Sequence, residues 1–377
     1  MATLISLLIA NSPLKEEYHH LIGGFNVFGH FNVHMLVNDF LMAIFFLLVG
    51  LEIKQEVLYG NLSSIKKASF PIISAIGGVL VPAIIFLLFN HNTEFSVGVG
   101  IPISTDIAFA VGVFMMLKNK INPTLKIFLL SLAVVDDLIS ILAIGILYSS
   151  NIEYSYLLVS ILLIGILVVM NKAFKINKTA PYLLIGILVW YFVYSSGVHA
   201  TISGVFIAMT IPSHRPNKNT HSTLEVLEHK LSPICNFIIL PLFALVNTSI
   251  TFDSGLSFVS VDKLVCGVVV GLVVGKPLGI MLFSFIATKL HLTEKPDDSS
   301  WSQVFCVSLL AGIGFTMSIF VSEIAFVDYP ELVNISKISI LGASLISMLF
   351  TFVFTNIHYK LKAKQIHVPA LSNKKAV

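Results

Sequence analysis

Residues 131–140 read SLAVVDDLIS, in the middle of an apolar run from Ile127 to Tyr148. Asp136 and Asp137 are neighbours, so on a helix they point about 100° apart and can face different partners. An ionisable residue at the centre of a bilayer-crossing helix costs roughly 2.5–3.5 kcal/mol. Two cost more, unless a proton, a cation or a lysine neutralises them. Packing alone does not account for the pair. Lys276, in VVGKPLGI, is the complementary oddity. A buried ammonium needs a carboxylate, and one of the two aspartates is its natural partner. The other is then left to hold an ion. The chemistry these residues permit is the binding of a small cation by oxygen ligands, in competition with protons.

Two further stretches carry polar groups where an apolar helix is expected. In GVGIPISTDIAFAVGV (98–113), Pro102 cannot donate a backbone hydrogen bond and the glycines weaken helix. The span is predicted to break near 101–105 into two half-helices. Their inner ends bear carbonyls on one side and amides on the other. Thr105 offers a hydroxyl there, and Asp106 sits where its charge complements the amide end. In LLAGIGFTMSIFVS (309–322), Gly312, Gly314 and Thr316 mark a second interruption. The intramembrane ionisable residues read from the sequence are Asp39, Glu52, Asp106, Asp136, Asp137 and Lys276, with His199 beside them.

These residues must be positioned by membrane-spanning helices. The 377-residue chain is 56% hydrophobic and only 11% charged, where soluble domains carry about 25% charge. That implies an all-α polytopic membrane protein in one domain, 1–377. Spans are expected near 35–58, 68–89, 95–117, 125–148, 154–171, 180–195, 197–211, 232–250, 261–289, 303–326 and 334–358. The N-terminal MATLISLLIA is about half long enough to be another. Cys235, Cys266 and Cys306 fall in apolar stretches and show neither metal nor disulfide spacing.

Basic residues set the orientation. Lys54, Lys66 and Lys67 share one loop. Lys118, Lys120 and Lys126 follow two loops later, and the alternation continues to Lys360, Lys362 and Lys364 in the tail. The intervening loops 90–94, 149–153, 247–262 and 327–333 hold no lysine or arginine. The basic side is read as cytoplasmic, with the C-terminal tail 359–377 inside. The +3 net charge belongs to this rim and gives no reason to invoke nucleic acid. Eleven spans ending inside would start outside, so the first span is expected to be cut short. Residues 21–34, LIGGFNVFGHFNVH, alternate apolar and polar types around Gly29, the pattern of an external β-hairpin.

Each interrupted span is central in a group of three, and the two groups start on opposite sides. This is the arrangement of inverted-repeat secondary transporters, of which the NhaA antiporters are a known case. The stretches NDFLMAIFFLLVGLEIKQE, FPIISAIGGVLVPA, IPISTDIAFAVGV, LKIFLLSLAVVDDL, SGVHATISGV, IILPLFALVN, GLVVGKPLGI and LLAGIGFTMSIFVS resemble that family, from about residue 36 to 358. The resemblance implies a twelve-helix inverted-repeat bundle with two discontinuous crossing helices. It implies electrogenic export of Na⁺ or Li⁺ driven by proton entry, with no cofactor and no enzymatic activity, in a bacterial inner membrane. By position, Asp136 and Asp137 would bind the transported Na⁺ or H⁺, with Asp106 and Thr105 completing the polar centre. Lys276 would pair with Asp136 when the cation is absent. The hairpin at 21–34 would be the homodimer contact. Glu52, Glu56, Glu228 and His229, with His199, match positions linked to the response to pH. Gln55 and Ser232 depart from the arginine and histidine expected there, which puts the pH set-point in question, and the family's first helix is longer.

Two rivals stand beside that reading. A sodium-coupled organic-anion symporter would want a buried arginine for its solute, and none is present in the spans. An intramembrane aspartyl protease needs two opposed aspartates in a G-x-G-D setting. Neither Asp106 nor Asp137 has one, and the buried lysine would disturb a shared proton.

Overall fold

Bilayer-length apolar helices dominate the chain, as its hydropathy requires. The computed structural model describes residues 1–28, 31–149, 152–214, 221–251, 262–296 and 299–367. Among these, seven helices are long and apolar enough to cross a membrane, and two bent pairs raise the number to nine. The pairs are Glu94–Ile103 with Ile107–Met116, bent by 43°, and Trp301–Ala311 with Phe315–Ala325, bent by 44°. Both breaks fall where proline or glycine interrupts the sequence. The first half of the first pair is 3₁₀-helix rather than α-helix.

The expected span at 197–211 is shorter in the structure. Its helix is Ile202–Thr210, nine residues, which at 1.5 Å per residue covers about half a bilayer. Gly197 is the reason: its φ of 80° is open to glycine at little steric cost and ends the preceding Thr179–Ser195 helix. The N-terminal helix Ala2–Ala10 also has nine residues. Within 21–34, Asn26–Phe28 pairs antiparallel with Phe31–Asn32.

The chain divides into two compact units. The first comprises Met1–Ser63, Asp137–Val261 and Ile319–Ile338. Its Met42–Leu58 helix meets the Ile202–Thr210 helix backbone to backbone, because a Cβ on Gly204 would lie 2.2 Å from the Ala43 carbonyl oxygen. Lys54 reaches across to the end of that short helix and donates to the carbonyls of Met209 and Ile211, both at 2.6 Å. These are carbonyls that a helix C-terminus leaves without a partner.

The second unit comprises Ser64–Asp136, Asp262–Ser318 and Ser339–Val377. Here the Ile65–Asn90 helix packs along Asp262–Lys289. Glycines at every fourth position of the latter, Gly267, Gly271, Gly275 and Gly279, form one ridge. Added Cβ atoms would meet Asn90, Pro102, Pro82 and the Gly77 carbonyl respectively. In a bilayer, close backbone approach of this kind substitutes van der Waals contact for the hydrophobic drive. Gly77 and Gly279 face each other: a Cβ on either would stand 2.3 or 2.0 Å from the other's carbonyl oxygen. Gly279→Leu therefore forces these helices apart. The expected result is loss of most monodisperse protein in size-exclusion chromatography, while Gly165→Leu, where a Cβ meets nothing within 4 Å, elutes like the unmodified chain.

Candidate functional site

The second unit gathers Thr105, Asp106, Asp136 and Lys276 with the two chain breaks. After Ile103 the chain runs extended through Ser104, with ψ of 145°, and Asp106 caps the helix that follows. Its Oδ1 accepts from the Phe109 amide at 3.0 Å. Its Oδ2 accepts from the Thr316 amide at 3.1 Å and from the Thr316 hydroxyl. One buried carboxylate thus meets the amide ends of both broken spans, where partial positive charge collects. The breaks are also tied by backbone and hydroxyl bonds. The Asp106 amide donates to the Ile313 carbonyl at 2.8 Å. Thr105 Oγ1 donates to the Ala311 carbonyl at 2.9 Å, and Ser318 Oγ to the Ile101 carbonyl at 2.8 Å.

Lys276 supplies the opposite charge. It is fully buried, and its Nζ lies 2.7 Å from Asp136 Oδ2. The same ammonium donates to the Ile103 carbonyl, at the carbonyl end of the first broken span. A local irregularity of the helix sets its direction. Residues Gly271–Gly275 form a π turn, and the Lys276 amide bonds back to Gly271. Pro277 follows and has no N–H to bond back to Val273. Single π turns of this kind are frequent at functional sites.

Asp137 follows Asp136 on the Thr124–Leu147 helix and is equally buried, each at 1% exposure. The residues set aside for the pH response lie in the first unit. Glu52, on Met42–Leu58, is within electrostatic reach of Glu228, on Thr223–Ile234, and Glu228 of His229. Glu56 accepts the Asn61 amide at 2.9 Å. His199 Nε2 lies 3.1 Å from the Tyr148 carbonyl oxygen.

A family model described as Na⁺/H⁺ antiporter 1 matches residues 1–355. This chain belongs to that family. Its members are transporters rather than enzymes and need no cofactor, and the apolar helices make the chain a multi-pass membrane protein. The Na⁺/H⁺ antiporter NhaA of Helicobacter pylori (strain ATCC 700392 / 26695) is 42% identical, over 91% of this chain and 88% of its own. That of Pelagibacter ubique (strain HTCC1062) is 44% identical, over 93% and 92%. Antiporter NhaA 2 of Aliarcobacter butzleri (strain RM4018) is 42% identical, over 97% and 94%. Among solved structures, the sodium proton antiporter MjNhaP1 of Methanocaldococcus jannaschii matches with a TM-score of 0.54 at 14% identity. It covers 96% of this chain and 91% of that one, and shares the fold of an antiporter.

Sequence reasoning missed two groups. Lys337 is buried and Glu323 half-buried, both within apolar helices, and they contact each other. Their signal was available, since each is a lone charge in a span. Asn38 and Asn247 bond reciprocally while buried. Uncharged amides give a weaker signal, and nothing in their spacing marks them as partners.

Proposed function

We propose that this chain is an electrogenic Na⁺(Li⁺)/H⁺ antiporter of a bacterial inner membrane, exporting sodium against entering protons and serving pH and sodium homeostasis. The observation that carries the reading is the fully buried Lys276–Asp136 ion pair, with a second buried carboxylate, Asp137, one residue on. In this reading Asp136 and Asp137 ligate Na⁺, and Lys276 holds Asp136 when Na⁺ is absent. Protons neutralise the same carboxylates, so the two ions exclude each other. If only occupied states reorient, exclusion becomes exchange. Electrogenic exchange requires that more than one group of the centre change protonation for each Na⁺ bound, and the adjacent Asp136 and Asp137 supply two carboxylates for it. Asp106 and Thr105 stabilise the crossing of the broken spans, and Asp106 and Lys276 balance the partial charges of the helix ends there. Glu52, Glu56, Glu228, His229 and His199 are assigned to the pH response.

The alternation of lysine-bearing and lysine-free loops supports a cytoplasmic C-terminus. It also supports an outer location for loops 149–153, 247–262 and 327–333. A homodimer through residues 21–34 belongs to the same proposal.

The test is a ΔpH-quench assay in inverted vesicles across about pH 6.5–8.5, in which carboxylate–cation competition is read directly. NaCl and LiCl are expected to dissipate the gradient and KCl to leave it intact. An equal response to all three salts, or none from verified protein, overturns the antiport reading.

A further inference from the structure

A cavity of about 700 Å³ lies within the first unit. Its wall includes His34, Asp39, His199, Glu323 and Lys337. Glu323 is held on both oxygens. Lys337 Nζ contacts Oε1, and His34 Nε2 lies 3.4 Å from Oε2. Lys337 and Glu323 are nearly enclosed, at 8% and 15% exposure, whereas the His34 side chain is 37% exposed to the cavity.

His34 Nε2 has a second neighbour. Asn38 Nδ2 lies 3.1 Å away. The Asn38 amide is oriented by Asn247: its Nδ2 donates to Asn247 Oδ1 at 3.1 Å, and it accepts from Asn247 Nδ2 at 2.7 Å. An N–H donor is therefore presented to the imidazole from one side and a carboxylate acceptor from the other. A neutral His34 with its proton on Nδ1 accepts from Asn38. An imidazolium has a proton on Nε2, cannot accept, and can only donate to Glu323. From the Nδ1–H form, which the Asn38 donor favours, protonation moves the ring's Nε2 from Asn38 to Glu323.

The groups facing His34 fit both states. Asp39 comes from its own helix, Glu323 from Phe315–Ala325 and Lys337 from Pro330–His367, while His19, His199 and Tyr148 are the other titratable groups of the lining. Histidine is the side chain that changes charge between about pH 5 and 8. Glu323 lies on the second half of a broken span, two turns beyond Thr316 and on the same face of that helix. Thr316 is the residue that donates to Asp106.

We propose that Glu323 is a positioning residue for transport, held at all times by Lys337 and additionally by His34 when the solution in the cavity is acidic. The proposal rests on the antiport reading. With the loops at 149–153, 247–262 and 327–333 outside, the cavity opens outward, and the ring reads external pH. Acid then tightens the hold on the second half of the broken span and slows its rearrangement.

The test uses vesicles of both orientations, with pH varied on one face and fixed on the other. For the unmodified chain the Na⁺ exchange rate is expected to change about fivefold as external pH runs from about 5 to 8. His34→Gln and Glu323→Gln reduce that dependence to the part imposed by proton binding at the transport site, and leave the internal profile unchanged. A His34→Gln profile matching the unmodified chain on both faces overturns the proposal.

A second measurement needs no transport. The contact of His34 with Glu323 is an ion pair only when the ring carries a proton, so the proposal places its contribution at acidic pH. The melting midpoint of the unmodified protein should exceed that of His34→Gln by about 2 °C at acidic pH and match it at alkaline pH. A difference that does not vary with pH overturns the proposal, even if no exchange is seen and the antiport reading has failed.

Discussion

Lys276→Ala lowers the stability of the purified protein by about 3–5 kcal/mol at alkaline pH. The reason is geometry. Both members of the pair are at or below 1% exposure, and 2.7 Å separates Nζ from Oδ2. Removing the ammonium leaves a buried carboxylate without its counter-charge, and it strips the Ile103 carbonyl of its donor. Protonation of Asp136 relieves the first of these, so the deficit shrinks as pH falls. Asp136→Asn in the same chain relieves it at every pH. The double variant is expected to melt above Lys276→Ala at pH 8 and to differ little from it in acid. Equal melting of the single and double variants at pH 8 would show that the pair contributes nothing beyond packing.

The second large effect is on transport. Asp137→Asn should cost more than about 100-fold in apparent Na⁺ affinity, with little loss of folded protein. An amide keeps the shape of the carboxylate but offers one neutral acceptor oxygen, and it cannot exchange a proton for a cation. The contrast with Lys276→Ala is the informative part: one variant fails by stability and the other by ion binding. Thermal melting with and without Na⁺ separates them. The unmodified chain should gain melting temperature with added Na⁺, and Asp137→Asn should not. Sodium stabilisation that survives in Asp137→Asn would remove this residue from the site.

Much of the candidate site could be read from residue types. Charge in an apolar run is costly enough that Asp136, Asp137 and Lys276 stand out without any structure. Proline and glycine in the middle of spans located both breaks, because a missing N–H and a missing Cβ act locally. The identity of the lysine's partner was left open by spacing, since two adjacent carboxylates differ only in azimuth; the structure puts Asp136 there. What the sequence hid depends on distant pairing. The ridge from Gly267 to Gly279 has a period of four, yet its partners Gly77 and Pro82 could not be named before the helices were placed. Hydropathy predicts a span over 197–211 because it does not register the positive φ of Gly197, which leaves only the Ile202–Thr210 helix there.

The π turn at Gly271–Gly275 also makes Lys276 depend on counting. Such a turn holds one residue more than an α-helix of the same rise, bonded five back instead of four. The Cys235–Ile239 segment of the first unit repeats the design, and there too a proline, Pro241, stands two residues after the turn. Deleting a single glycine from Gly271–Gly275 would let the helix close into regular α geometry with every side-chain chemistry intact. Because the turn absorbs that one residue within the same rise, the helix on either side would keep its phase. A one-residue deletion in the regular helix before the turn, with the turn kept, would instead swing the ammonium by about 100° and off Asp136, an edit that removes no charged group and shows that the count of residues ahead of the lysine is part of the site.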